Sequence, residues 1–243
     1  MAEMAEGKGR FVDQIINGVF ASCEMTSWAL SAHLGLQKVG GCFPSYEEHV
    51  IDLGSGNLAS QLSWIYYYLK PSFDKVNPLI SKRLRHELQV RILDTYMNED
   101  HFWWMAFNLK PGGLVNNWNP WCNFNVLQCF FLLENDRDKL AKAVYRTMTS
   151  VDHFINYTHG DGGCEEGPSY WGHAAGKICR CFLTGQVVKS PYSISLSLRI
   201  WVNILPALMW GTAGWSTLPM LLPKEEGMPI SFSGMGKQSK ALL

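Results

Sequence analysis

The chain has 243 residues, 47% apolar and 17% charged, with 21 basic side chains balanced by 21 acidic ones. That composition suits one sizeable domain or two small ones with a buried core; it excludes a disordered chain and gives no net charge for holding nucleic acid. Aromatic residues reach 13%, including 10 Trp, a density that serves either core packing or a stacking surface for sugar rings.

In chain order, a first helix is predicted over 11–25, FVDQIINGVFASCEM. Over 57–70, Leu58, Leu62, Ile65, Tyr66 and Leu69 recur at helical spacing, and Pro71 is expected to end the run. The stretch 77–96 opens with Asn77 as N-cap and Pro78 at the first helical position, and Ile80, Leu84, Leu88, Ile92 and Tyr96 form its stripe. Its basic run SKRLRHELQVR (81–91) is read as a solvated face. A further helix is expected from an Asn119 cap and Pro120 to about Glu134, with Asn135 as the break. The next covers 136–157, with Leu140, Val144, Met148, Val151 and Ile155 as its stripe.

Long helices joined so tightly must run antiparallel, as an αα-hairpin. Between the hairpins lie long loops, 98–118 and 158–169, rich in Gly, Asn and Trp. No strand alternation occurs before 178. The expected fold is therefore all-α, an incomplete α/α toroid of antiparallel helix hairpins over 1–177 with an irregular C-terminal tail over 178–243.

The cysteines Cys23, Cys42, Cys122, Cys129, Cys164, Cys179 and Cys181 show no CxxC pair and no zinc-finger spacing, so scattered thiols are expected rather than a disulfide framework or a metal site. No cofactor is expected. The opening MAEMAEGKGR has no apolar signal-peptide core, and no run of 18 apolar residues exists to cross a membrane. As written, the chain is expected to be cytoplasmic.

Two short stretches carry the candidate chemistry. NNWNPW (116–121) sets Asn116 and Asn117 just before a helix, where asparagines by themselves serve turns and caps. In DGGCEEGPSYWGHAAGK (161–177), Gly167 and Pro168 would start a helix and put Tyr170 on its first turn, facing the loops. His173 follows by three, on the same helical face. Glu165 and Glu166 could serve a glycosidase as acid and base, but adjacent residues point in different directions.

These stretches, with FWWMAFN (102–108), NNWNPWCNFNVLQCFFLLE (116–134) and AVYRTMTSVDHFIN (143–156), resemble in order and spacing the toroid domain of the heparinase II/III family of polysaccharide lyases. The resemblance implies β-elimination on an acidic, uronate-containing polysaccharide. Asn117 would neutralise the substrate carboxylate, and Tyr170 would take the C5 proton and return it to the leaving oxygen. Asn116, Trp118, Glu166, Trp171 and His173 would bind substrate. Some relatives carry histidine directly after the asparagine, where this chain has Trp118, so His173 or Glu166 becomes a candidate helper. The local charge is not strongly cationic, which argues against heparin itself. Full-length relatives are expected to be periplasmic or secreted. The other readings are a glycoside hydrolase on the same scaffold and a non-catalytic carbohydrate-binding remnant.

After residue 177 the resemblance stops. Read one base out of frame, AGWSTLPMLLPKEEG (213–227) yields WVVNFADASAKGGG, which looks like the family's continuation. A frameshift near residue 178 is therefore expected. With only one wall of the cleft encoded in frame, this chain is expected to be a weakly active or inactive fragment with a loosely packed tail.

Overall fold

The computed structural model describes residues 2–158 together with Tyr170, His173, Ala174, Gly176 and Lys177. Glu165, Glu166, Trp171 and the expected irregular tail lie outside the described residues. In chain order come α1 (Ala2–Glu6), α2 (Val12–Glu24), a 3₁₀ segment (Ser31–Leu36), α3 (Leu53–Val76), α4 (Pro78–Leu88), a π-helical segment (Gln89–Asp94) and α5 (Thr95–Asn98). A 3₁₀ turn (Trp103–Met105), α6 (Trp118–Leu133) and α7 (Arg137–Tyr157) follow. Among the described residues there is no strand, and the helices pack against one another. None of these helices is long and apolar enough to cross a membrane.

Several boundaries differ from the sequence expectation, each for a physical reason. The helix expected at 57–70 begins at Leu53. Asp52 caps it by accepting from the Ser55 amide while the Ser55 hydroxyl accepts from the Asp52 amide, a reciprocal capping box. Pro71 does not end α3 but sits inside it. Its missing N–H leaves the Tyr67 carbonyl without its helical donor on a flank where Tyr67 and Tyr68 are exposed, while Leu69 and Phe73 stay buried.

Asn77 caps α4 as expected, its side chain accepting from the Leu79 amide. The stripe behind it recurs every fourth residue, which drifts roughly 40° per step around a 3.6-residue helix. The wider turns of the π-helical segment take up part of that drift. Leu84, Leu88, Ile92 and Tyr96 are all fully buried.

α6 is buried on nearly every side, as the central helix of the domain. Its contacts with α3 fix their relative direction. Asn57 meets Trp121 and Asn125, Ser60 meets Gln128, so the two helices run parallel. Against α7 the order reverses: Asn119 reaches Ser150 near the start of α6, and the chain returns through Glu134–Asp136. α6 and α7 are thus the expected antiparallel hairpin, with Asp136 capping α7 by accepting from the Asp138 and Lys139 amides. On α7 the buried stripe is Leu140, Ala143, Thr147, Ser150, Val151 and Phe154, so Val144, Met148 and Ile155 lie at its edge.

Since α3 and α6 run parallel, their N-terminal ends share one end of the bundle. The loops 25–52 and 99–117 gather there. Trp104 pins them by donating to the Ile51 carbonyl, and Arg146 of α7 holds the Glu99 carbonyl and the Asp100 carboxylate. Ala106 adopts a left-handed φ of 61°, and the Ser150 hydroxyl bonded to the Met105 carbonyl holds that turn in place.

Candidate functional site

The end of the bundle where α3 and α6 begin carries the candidate residues. Asn119 is not the cap that NNWNPW implied. It is fully buried inside α6, and its amide nitrogen donates to the Trp104 carbonyl and to the Ser150 carbonyl and hydroxyl. The start of the helix instead passes to Asn116, whose side chain accepts from the Trp118 amide. Asn119 belongs to a polar network inside the core. Asn123 donates to the Asn119 carbonyl and to Ser150, and the Tyr96 hydroxyl bridges Asn123 and Thr147. Tertiary acceptors replaced the local capping role, because α7 packs directly over this turn.

Asn117 contrasts with it. It is only 2% exposed, and its Oδ1, like that of Asn119, has no hydrogen-bond partner among the described residues, so the difference between the two lies at the amide nitrogen. Its Nδ2 donates to no described residue. A buried amide oxygen left without a partner costs roughly 1–3 kcal/mol, and such a group in a native fold calls for a ligand or water.

Around it stands an aromatic surface. Trp118 packs against Trp103 at 5.2 Å between ring centroids, and Trp103 is 46% exposed. On its other side Trp118 meets the His33 ring at 4.5 Å. One turn along α6, Trp121 stacks flat on His173 at 4.2 Å and 7°. The Tyr170 ring lies 6.1 Å from His173, and Tyr170 is exposed. His173 against Trp121 and Lys177 against Asn125 follow α6 in its own direction. Tyr170, three residues before His173, therefore lies toward the end where Asn117 starts α6.

The polar floor beneath is equally specific. Asn57 Oδ1 accepts from Trp121 Nε1, Asn125 Nδ2 and Lys177 Nζ at 2.9, 2.9 and 3.0 Å. The Lys177 ammonium also lies over the Trp121 ring. Burial pushes the Cys122 thiol well up, with Asp52 adding to the effect and Lys177 opposing it. Both charges therefore act on this one turn of α6. Among the described residues no group of three or more His, Cys, Asp or Glu could hold a metal.

Of the expected site residues, Asn116, Asn117 and Trp118 stand at the start of α6, and His173 packs on Trp121 one turn on with Tyr170 beside it, while Glu166 and Trp171 lie outside the described residues. Sequence reading missed His33, Asp52, Asn57, Trp103, Asn125 and Lys177, and assigned Trp121 no role. The spacing Asp52-x-x-Ser55 did carry a capping-box signal. The others are joined by contacts well beyond one helical turn, from 15 positions between Trp103 and Trp118 to 120 between Asn57 and Lys177, and leave no local pattern.

No protein-family model matches the chain, and a search of the curated proteins finds no match.

Proposed function

We propose that this chain carries the α/α toroid part of a heparinase II/III-like polysaccharide lyase, acting on uronate-containing glycans by β-elimination. The observation that carries the reading is Asn117: a buried amide that engages no described residue, next to a half-buried Trp118 that packs on the exposed Trp103, at the end of the bundle toward which Tyr170 lies. Parallel α3 and α6, each followed by an antiparallel partner, are the arrangement in which toroid hairpins succeed one another, with loops meeting at one end.

In this reading a uronate ring lies on the tryptophans. The Asn117 amide hydrogen-bonds its carboxylate, so that negative charge developing as the C5 proton leaves is stabilised. Tyr170, as the phenolate, takes that proton, and the phenol so formed delivers it to the C4 oxygen as the C4–O bond breaks, leaving a double bond between C4 and C5. The partner is thus an acidic polysaccharide.

The test is to incubate the chain with uronate-containing polysaccharides, beside a version with its reading frame restored after residue 177. The expected result is ultraviolet-absorbing unsaturated uronate from the restored version, little from the chain itself, and none after Asn117→Ala or Tyr170→Phe. New reducing ends without that absorbance would mean hydrolysis, and binding without either product a carbohydrate-binding remnant.

A further inference from the structure

Beside Trp118, one residue after Asn117, stands a histidine that the site described so far does not use. His33 lies on the 3₁₀ segment that follows α2, and its Nδ1 is 2.6 Å from Asp52 Oδ2. Asp52 is fully buried at the N-terminus of α3, and its carboxylate also accepts from the Leu30 and Ser55 amides. With Asp52 accepting from so many directions, Nδ1 carries the proton in both the neutral and the charged imidazole. Nε2 is then the end left for a ligand. It makes no hydrogen bond to any described residue, and the His33 side chain retains 22% of its exposure. The ring cannot swing freely, because its edge-on contact with Trp118 and its bond to Asp52 hold it from two sides.

We infer that His33, oriented by Asp52, is a specificity-determining residue of this cleft, its Nε2–H donating to the carboxylate of an acidic sugar seated on Trp118 and Trp103. This rests on the carbohydrate reading above. The carboxylate partner follows from the chemistry of the pair. A doubly protonated imidazole is a donor at both nitrogens, and Asp52 beneath supplies the counter-charge on the buried side, leaving the outer nitrogen for a second anion. A neutral sugar hydroxyl would gain no such charge-assisted bond. Pairing the His33 ring with two tryptophans also puts a donor at the rim of a stacking surface, which sets which edge of the sugar faces inward.

The experiment measures, by calorimetry on the full chain, the binding of a glucuronate-containing tetrasaccharide and of its carboxyl-reduced counterpart. Wild type should prefer the acidic ligand. His33→Gln, which keeps a polar side chain without the charge, should weaken the acidic ligand roughly tenfold and leave the reduced one nearly unchanged. Equal weakening of both ligands would mean that His33 merely supports Trp118, and unchanged binding of both that it faces no ligand; either overturns the inference. Should His33→Gln fail to fold, the wild-type imidazole signals of His33 in a long-range ¹H–¹⁵N spectrum decide the matter. They should move with the acidic ligand and not with the reduced one, and signals that stay still overturn the inference. A wild type that binds neither ligand overturns the carbohydrate reading itself, and this inference with it.

Discussion

At its C-terminal end α6 buries Phe130, Phe131, Leu132 and Leu133, and the chain leaves through Glu134, whose carboxylate accepts from the Asn135 and Asp136 amides. At its N-terminal end the same helix begins at an Asn117 amide that engages no described residue, followed by Trp118, which packs on the exposed Trp103. The first region is what folding alone asks of a central helix: apolar burial and satisfied ends. The second leaves buried polarity unmet and aromatic surface in water, which lowers stability and has a use only when something binds. Two asparagines two positions apart mark the boundary. The Asn119 amide nitrogen donates into the core, whereas that of Asn117 donates to no described residue; the side-chain oxygens of both are unpartnered among the described residues.

Substitutions at the two ends of α6 test that contrast. The largest effect is expected from Phe130→Ala at the closed end, where a cavity beside Tyr96 should cost about 4 kcal/mol in chemical denaturation. A cost below about 1 kcal/mol would show that the C-terminal half of α6 is not the core it is taken for.

Next comes Asn119→Ala. Its loss strips a donor from the Trp104 and Ser150 carbonyls and should cost about 2–3 kcal/mol. Asn117→Ala, in contrast, removes a group with nothing to lose and should stay within about 0.5 kcal/mol of wild type. The same denaturation series measures both. Equal costs at the two positions would erase the distinction drawn between them.

Away from the site, Glu87 tests whether the rest of the fold is conventionally satisfied. Burial works against its carboxylate, but hydrogen bonds and charge from Arg91 and Arg83 outweigh it and hold the carboxyl below its usual range. A carboxyl whose folded pKa is depressed adds stability above its unfolded pKa and loses it as pH falls through the folded one. Wild type should therefore lose stability on acidification below the ordinary glutamate range, and Glu87→Gln should flatten that part of the curve. An unchanged acid limb in the variant would rule out Glu87 as its source.

The smallest effect concerns reactivity rather than stability. Burial pushes the Cys129 thiol up to about 12 and Cys122 well up, and raises Cys23 too, whereas Cys42 is exposed. Of these four, Cys42 should label quickly with a thiol reagent in the native chain, and the others only on unfolding. Mass spectrometry of labelled peptides reads this directly, and early labelling of Cys122 would mean that the site end of α6 opens more readily than its packing implies.

The existence of the main helices could be read from local patterns in the chain. A cap such as Asn77 and stripes such as Leu84, Leu88 and Ile92 act within a few residues, so their signals survive in one dimension. The tight turn between α6 and α7 fixed their antiparallel pairing for the same reason. Which polar side chain keeps its local role depended on packing between helices. Asn119 looked like a cap until Trp104 and Ser150 claimed its amide. Pro71 looked like a stop until packing on both sides of it carried α3 onward to Val76. His33 and Asp52, 19 positions apart, became a pair only when α3 began beside the 3₁₀ segment and Trp118 closed over the imidazole. Hydrogen-bonding groups go to the nearest partner of suitable geometry, and in a packed bundle that partner is set by which helices meet, which no short stretch of chain encodes.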